Sequence, residues 1–146
     1  MKKQELKRKL LNHILKSGKK QISEKLLIKS FKLIQKSQKK SHSNLIQLSV
    51  SNSTPMFRVI QLKNKNRKKK STTEIPAFLS NYIYRTSWAL KYLIKTSASN
   101  TRDAFFKQLK HEILSNAISE GNAVVFKNEL QSRALLKRKY FKHYRW

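Results

Sequence analysis

The residues most able to do chemistry in this chain are its cations, which crowd together at certain points of the sequence. The densest cluster is 63–70, Lys-Asn-Lys-Asn-Arg-Lys-Lys-Lys, in which six of eight residues are basic. The N-terminal segment 1–9 is a second basic cluster. Over 146 residues, 34 Lys and Arg against 7 Asp and Glu give a formal net charge of +27. Because Lys and Arg displace the counterions condensed on phosphates, this pattern predicts a nucleic acid as partner.

Residue patterns typical of catalysis or metal binding are missing from the sequence. The chain has no cysteine, which excludes disulfides and thiolate metal sites. His13, His42, His111 and His143 are far apart and form no metal-ligand motif. The seven carboxylates form no evident acid–base pair. The sequence therefore predicts no enzyme, no catalytic residue, no metal, no cofactor and no small-molecule substrate.

The elements that position the cations are predicted to be mainly α-helical, in a single domain of about five to six helices spanning 1–146. Leu6, Leu10 and Ile14 are four residues apart, as on one face of a helix, and Gly18 suits the left-handed residue after it. Gly121 is predicted to stop a later helix in the same way. Similar apolar stripes predict the other helices at about 22–34, 45–50, 81–96 and 105–119, and from about 127.

The segment 56–76, which lies between two prolines, has a different character. β-Branched and aromatic side chains at 57–60 favour a strand, and 71–75 is poor in helix-forming residues. Asn64 is suited to a turn. These features predict a basic β-hairpin over 56–76 whose tip, 63–70, has no apolar residue to pack on the protein. A solvated irregular loop is the alternative.

Four blocks of residues follow one another along the chain. They are 9–20 (Lys-Leu-Leu-Asn-His-Ile-Leu-Lys-Ser-Gly-Lys-Lys), the hairpin ending in Glu74-Ile75-Pro76, the segment 84–94 around Trp88-Ala89-Leu90, and 112–124 with the closing His143-Tyr144-Arg145-Trp146. In this order, and over nearly the whole chain, the blocks resemble the universal small-subunit ribosomal protein seven family. The chain departs from that family at the hairpin tip, where Asn and Lys replace a glycine pair.

Composition and length resemble those of a mitochondrial member of the family, plausibly encoded in the organelle genome. Lys outnumbers Arg by 26 to 8, as an AT-rich coding sequence would produce. Bacterial members continue past the His-Tyr-Arg-Trp block. The segment 1–9 is interpreted as a retained phosphate-binding arm, with a cleaved targeting peptide as the alternative. The expected location is the mitochondrial ribosome in the matrix, with a plastid or other organellar ribosome as the alternative.

The resemblance implies a structural protein that binds the 3′ major domain of small-subunit rRNA and organises the head of the subunit. It also implies that the hairpin lies near the exit-site tRNA and the mRNA path, and that small-subunit proteins eleven and nine are neighbours. The tip residues near tRNA and mRNA would be Lys63, Lys65, Arg67, Lys68, Lys69 and Lys70. The expected rRNA phosphate contacts are Lys2, Lys3, Lys7, Arg8, Lys9, Lys19, Lys20, Arg58, Arg85, Arg138 and Arg145.

The competing hypothesis is a non-ribosomal basic protein that compacts nucleic acid or lies on a membrane surface. A membrane partner is not expected, because the cations surround several helices instead of lining one face of a single helix. The longest uninterrupted apolar run, 123–126, is far shorter than the roughly 20 residues of a spanning helix. Nucleic-acid compaction would leave the hairpin insertion without an obvious use.

Overall fold

A computed structural model gives the fold and describes residues 3–37, 41–63, 72–99 and 103–143. The described residues form six α-helices and a two-stranded antiparallel sheet, which confirms the predicted mainly α fold with one inserted hairpin. The elements in chain order are α1 (Lys3–Ile14), α2 (Lys20–Ser37), α3 (His42–Ser53), β1 (Phe57–Lys63), β2 (Thr72–Phe78), α4 (Tyr82–Ser99), α5 (Phe105–Ala117), α6 (Asn122–Leu136) and a 3-10 helix (Arg138–His143).

The helices enclose one main apolar core, and α5 lies at its centre. Helix α5 packs against α2, α3, α4 and α6, and its Leu109 and Ile113 are completely buried. The predicted stripe of α1 is buried in the same core. The other helices contribute Leu27, Phe31, Ile34, Leu45, Ile46, Val50, Ala89, Leu90 and Leu93. Because α1 to α5 each bury one face here, the opposite face of each is fixed towards the outside, and α6 buries Ala123 and Leu130 in a second cluster with Tyr92.

Helix α3 is longer than the predicted 45–50, even though its second half is rich in Ser and Asn. Such residues lower helix propensity because their side chains compete for backbone hydrogen bonds. In α3, hydroxyl groups near its end bond to carbonyls of the preceding turn, which is compatible with helical backbone. Ser53 Oγ donates to the Ser49 carbonyl at 2.8 Å, and Thr54 Oγ1 donates to the Val50 carbonyl at 2.6 Å. Packing of α3 against α5 then overrides the weak propensity.

The hairpin strands pair in a regular antiparallel register, from Phe57 with Phe78 to Lys63 with Thr72. The second strand therefore continues two residues past the predicted end at Pro76. Pro76 pairs with Val59 inside β2. Proline lacks an N–H, and it is tolerated because each strand of a two-stranded sheet has one edge without a neighbouring strand.

The two glycines have different roles, and the predicted role of Gly121 is wrong. Gly18 follows α1 with φ +71°, as expected for a left-handed residue after a helix. Helix α5 instead ends at Ala117, and the left-handed residue after it is Ser119, with φ +72°. Gly121 is the N-cap of α6, which consequently begins at Asn122 and not near 127.

A buried polar cluster joins α5 to the first turn of α6. Glu112, only 5% exposed, accepts hydrogen bonds from Asn116 Nδ2 at 3.0 Å and from the Ala123 N–H at 2.8 Å. Asn116 Oδ1 accepts the Val124 N–H at 3.2 Å. The first N–H groups of a helix lack partners within it, so these side chains cap α6. A Cβ at Gly121 would lie 2.2 Å from Asn116 Oδ1, which explains why glycine is required.

We expect Gly121→Ala to lower the free energy of unfolding by about 1–3 kcal/mol, the usual cost of overpacking a filled site. The added methyl group must displace Asn116 and so weaken the cap of α6. Urea unfolding followed by circular dichroism, in salt that screens the net charge, measures this loss. Gly18→Asn is the matched control, since a Cβ at Gly18 meets nothing within 4 Å and Asn tolerates positive φ. Equal losses in the two variants would contradict the proposed role of Gly121.

Candidate nucleic-acid interface

The hairpin is held on the helical body by aromatic rings at its base and by an ion pair farther along its second strand. The Phe57 and Phe78 ring centroids are 4.3 Å apart, and the ring of Phe141, from the 3-10 helix, lies 5.6 Å from each. Lys137, just after α6, donates a hydrogen bond to Glu74 Oε2 at 2.6 Å. This contact lowers the pKa of the Glu74 carboxyl. The strands are therefore held on the helical body at the end opposite the tip, through the rings, and again at Glu74, which pairs with Gln61 nearer the tip.

Three of the expected phosphate contacts line one groove between α1 and α2. They are Lys7, Arg8 and Lys20, and all three are exposed. Glu24 lines the same groove, with its Oε1 3.9 Å from Lys20 Nζ. An exposed pair of this kind contributes little energy and is readily exchanged for another anion. The groove thus presents three cations against one carboxylate.

The other residues expected to bind phosphate differ in whether they already bond to groups of the protein itself. Lys19, Arg58 and Arg138 are exposed. Lys9 is half-buried and pairs with Glu5 at 2.9 Å, and Arg85 Nε donates to the Leu79 carbonyl at 2.6 Å. The four-residue spacing of Glu5 and Lys9 is the sequence signal of the first contact, and the sequence gives no sign of the second. The following side chains lie outside those that the structure describes: Lys2, Lys3, Lys63, Lys65, Arg67, Lys68, Lys69, Lys70 and Arg145.

A stripe of four lysines on α2 was not among the expected contacts, although its spacing is visible in the sequence. Lys25, Lys29, Lys32 and Lys36 recur at intervals of four, three and four residues, and all are exposed. At 3.6 residues per turn they fall within an arc of about 60°, over a length of about 16 Å. The buried Leu27 and its neighbours occupy the opposite side of α2. We call these four residues the α2 stripe.

Helix α5 adds cations beside the α2 stripe. Lys107, Lys110 and His111 line a groove with Leu33 of α2, and Asp103 lies in the same groove. Lys29 Nζ lies 5.8 Å from the centroid of the Phe106 ring of α5. The basic surface therefore continues from α2 onto α5.

Helix α4 holds two exposed lysines over aromatic rings. Lys91 Nζ lies 4.8 Å from the Trp88 ring centroid, and Lys95 Nζ lies 5.1 Å from that of Phe126. Tyr92 packs between these rings, and its burial raises the pKa of its hydroxyl. Because a ring face attracts a cation, the aromatic residues help to fix the positions of the two charges.

The described side chains show no arrangement suited to catalysis. His13 Nε2 is 2.9 Å from Ser87 Oγ, and burial, together with nearby Lys91, lowers the pKa of the His13 imidazole. The imidazole is therefore neutral at pH 7 and joins α1 to α4. Within the described ranges, no three acidic or imidazole side chains are grouped so as to hold a metal ion. None of the helices described is long and apolar enough to cross a membrane.

Comparison with known proteins decides the family. A sequence profile of ribosomal protein S7p/S5e matches residues 1–138. Small ribosomal subunit protein uS7 of Syntrophus aciditrophicus is 30% identical over 138 residues, which cover 94% of this chain and 85% of the relative. The uS7 of Desulfatibacillum aliphaticivorans is 30% identical over 97% of this chain and 87% of that protein's length. The uS7c of Bigelowiella natans is 28% identical over a segment that covers 86% of this chain and 77% of that protein. The chain belongs to the ribosomal protein S7p/S5e family.

Membership in the S7p/S5e family gives the function of the chain. The chain is a structural protein of the small ribosomal subunit that binds rRNA, and it is not an enzyme. The predictions of rRNA binding and of no enzymatic activity are thereby confirmed. The alternative of a non-ribosomal compacting or membrane-surface protein is set aside. The family match covers both the α1–α2 groove and the α2 stripe.

We expect the docking of the hairpin base to weaken in acid. Because the pKa of Glu74 is lowered in the folded state, its ion pair stabilises docking above the ordinary carboxyl pKa. That stabilisation is lost as the pH falls through the lowered value. In Glu74→Gln this pH dependence should disappear, as followed by NMR signals of the Phe57 and Phe141 rings. Glu24→Gln, which removes an exposed pair with Lys20 on α2, is the control and should behave like wild type. A wild-type hairpin indifferent to acid would refute the expectation.

Proposed function

We propose that the chain organises the head of the small ribosomal subunit by binding the 3′ major domain of the small-subunit rRNA. The observation that supports this most is the distribution of cations over several faces of one packed helical body. The α1–α2 groove, the α2 stripe, and Lys107 and Lys110 of α5 lie on helices that bury their other faces in a common core. The whole chain, 1–146, acts as one rRNA-binding domain, and most of its basic segment 1–9 is not a separate arm but belongs to the packed helix α1 (Lys3–Ile14).

The mechanism is the bridging of separate RNA segments by cations at fixed spacing. Lysine contacts to phosphate position the protein on RNA without reading its sequence. Folded RNA is recognised largely by its shape and its backbone, so a rigid arrangement of charges selects the RNA fold. A cation on a helix that is packed in the core keeps its distance from cations on the neighbouring helices. The protein thereby holds RNA segments in one relative arrangement.

The hairpin serves a different partner. We propose that its tip lies beside the exit-site tRNA and the mRNA path, and that small-subunit proteins eleven and nine are neighbours of the chain. The support from this chain is the anchored hairpin base, with Glu74 bound to Lys137 and the Phe57, Phe78 and Phe141 rings packed together. A basic tip without apolar residues, attached to an anchored base, is suited to contact RNA away from the body.

We propose a mitochondrial ribosome as the location, with a plastid or other organellar ribosome as the alternative. The ratio of 26 Lys to 8 Arg and the similarity to an organellar-type uS7c support an organellar origin. An antibody to the chain should detect it in the small-subunit fraction of purified mitochondria. Detection in the plastid fraction alone would favour the alternative.

Replacing the α2 stripe with glutamine should make rRNA binding less dependent on salt. Each phosphate contact contributes about 0.7–0.9 to the slope of log affinity against log salt concentration, so removing four should lower the slope by about 3. Filter binding of an rRNA 3′ major domain fragment measures the slope. The matched control replaces Lys25, Lys29, Lys32 and Lys36 with Arg, which keeps the charge and should keep the slope. An unchanged slope in the glutamine variant, with its helix content intact, would show that the stripe does not contact phosphate.

Replacing Arg67, Lys68, Lys69 and Lys70 with Ser should leave incorporation into the subunit nearly intact while weakening retention of exit-site tRNA. The reason is that the anchoring cations lie on the helices, whereas the tip has no apolar residue to join the core. Gradient sedimentation measures incorporation, and filter retention of tRNA measures the second effect. The control is the glutamine variant of the α2 stripe, which should reduce incorporation. A tip variant that stays folded but fails to assemble would identify the tip as an rRNA anchor instead.

A further inference from the structure

One helix differs from all the others that the structure describes in carrying no charged residue. Helix α3 contains neither Lys nor Arg, neither Asp nor Glu, and the same holds for the whole segment 41–57. Each of the other five described helices carries exposed Lys or Arg. In a chain with 34 cations, the outer face of α3 is a local exception that requires an explanation.

The outer side of α3 forms a continuous neutral surface with the start of α4. Asn44, Gln47, Leu48 and Ser51 are its exposed residues and fall within an arc of about 100°. Tyr82 of α4 lines a shallow groove together with Gln47 and Ser51, and none of the described residues that line this groove is charged. Lys127 of α6 lies beside the groove's helix and donates to the Asn52 carbonyl at 2.6 Å. Leu48 is 49% exposed and Tyr82 is 55% exposed. We call these five residues the neutral face.

The chemistry of the neutral face argues against a nucleic acid as its occupant. Binding to a phosphate backbone depends on cations that replace counterions, and this face offers none. Its composition is instead that of a protein interface, where charged residues are depleted and tyrosine is enriched at the centre. Leu48 and Tyr82 supply apolar area, while Asn44 and Gln47 supply amide donors and acceptors at the side. The absence of charge is complementary to an uncharged partner surface.

We propose that the neutral face docks another protein of the same ribosomal particle, through a partner surface that is uncharged and presents apolar side chains with amide or backbone hydrogen-bonding groups. This inference rests on the proposed function, because the particle brings the partner to the chain. The inner side of α3 is held independently by Ile46 and Val50 in the core. Substitutions on the outer side therefore change docking without changing the fold.

Cross-linking from single cysteines tests the proposal, since the chain has no cysteine of its own. Leu48→Cys on the neutral face and Lys32→Cys on the α2 stripe are each labelled with benzophenone maleimide, assembled into small subunits and irradiated. The position 48 adduct should be destroyed by protease and resist nuclease, because it joins two proteins. The position 32 adduct should contain rRNA. Adding Tyr82→Ala to the Leu48→Cys variant should cause a several-fold loss of the protein adduct while circular dichroism stays unchanged.

The possible outcomes separate this inference from the proposed function. An rRNA adduct at position 48 would overturn the inference and make Tyr82 a candidate for stacking on a base. No adduct at position 48 would also overturn it and leave the face in solvent. In both cases an rRNA adduct at position 32 would leave the proposed function standing. Failure of the unlabelled wild-type chain to enter the subunit, with its fold intact, would instead refute the proposed function.

Discussion

Burial of α5 at the centre of the helices is the constraint on which the remainder of the molecule depends. Fully burying a side chain such as Leu109 or Ile113 contributes about 1.5–3 kcal/mol, and both are completely enclosed. Mutual repulsion among 34 cations opposes any compact state. Because α2, α3, α4 and α6 all pack on α5, the buried side of one amphipathic helix fixes the directions of the outer faces around it. The arrangement of charges is therefore a consequence of the arrangement of the core.

A second dependence runs from one buried carboxylate to the hairpin. Most of the described glutamates pair with lysine or arginine at the surface, but Glu112 lies inside and caps the start of α6. The cap sets where α6 begins and thus where Lys137 is placed at its other end. Lys137 and the Phe141 ring then hold the hairpin base. Replacing Glu112 would consequently affect a segment that it does not touch.

The sequence predicts the parts of the fold that follow from local patterns. The spacing of Leu6, Leu10 and Ile14 correctly identifies a buried helix face, and β-branched residues correctly identify the hairpin strands. What fails depends on specific side-chain contacts, which a pattern of residue types does not show. Gly121 resembles a helix stop until Asn116 is placed against it. Ser53 resembles a helix breaker until its hydroxyl is bonded to the preceding turn.

In the candidate interface too, some features follow from residue spacing and others only from the packing of the elements. The α2 stripe is evident from its period alone, because exposure on one side of a helix follows from burial on the other. The Lys9–Glu5 pair follows from the four-residue spacing within α1, whereas the bond from Arg85 to the Leu79 carbonyl cannot be read from spacing, since it depends on the path of the chain between β2 and α4. The neutral character of α3 is also plain in the sequence, yet only the structure shows that Tyr82 lies beside it.

Basic and neutral surfaces act over different distances. This difference sets the order in which the chain binds RNA and then a partner protein. The field of exposed lysines extends about 10 Å into solution at moderate ionic strength, so it captures and orients the chain on RNA before close contact. Apolar and amide groups on the neutral face act only when atoms touch. A partner protein on that face therefore adds to a chain already positioned by RNA. Because the neutral face carries no charge, it has no long-range attraction to RNA that would compete with that order.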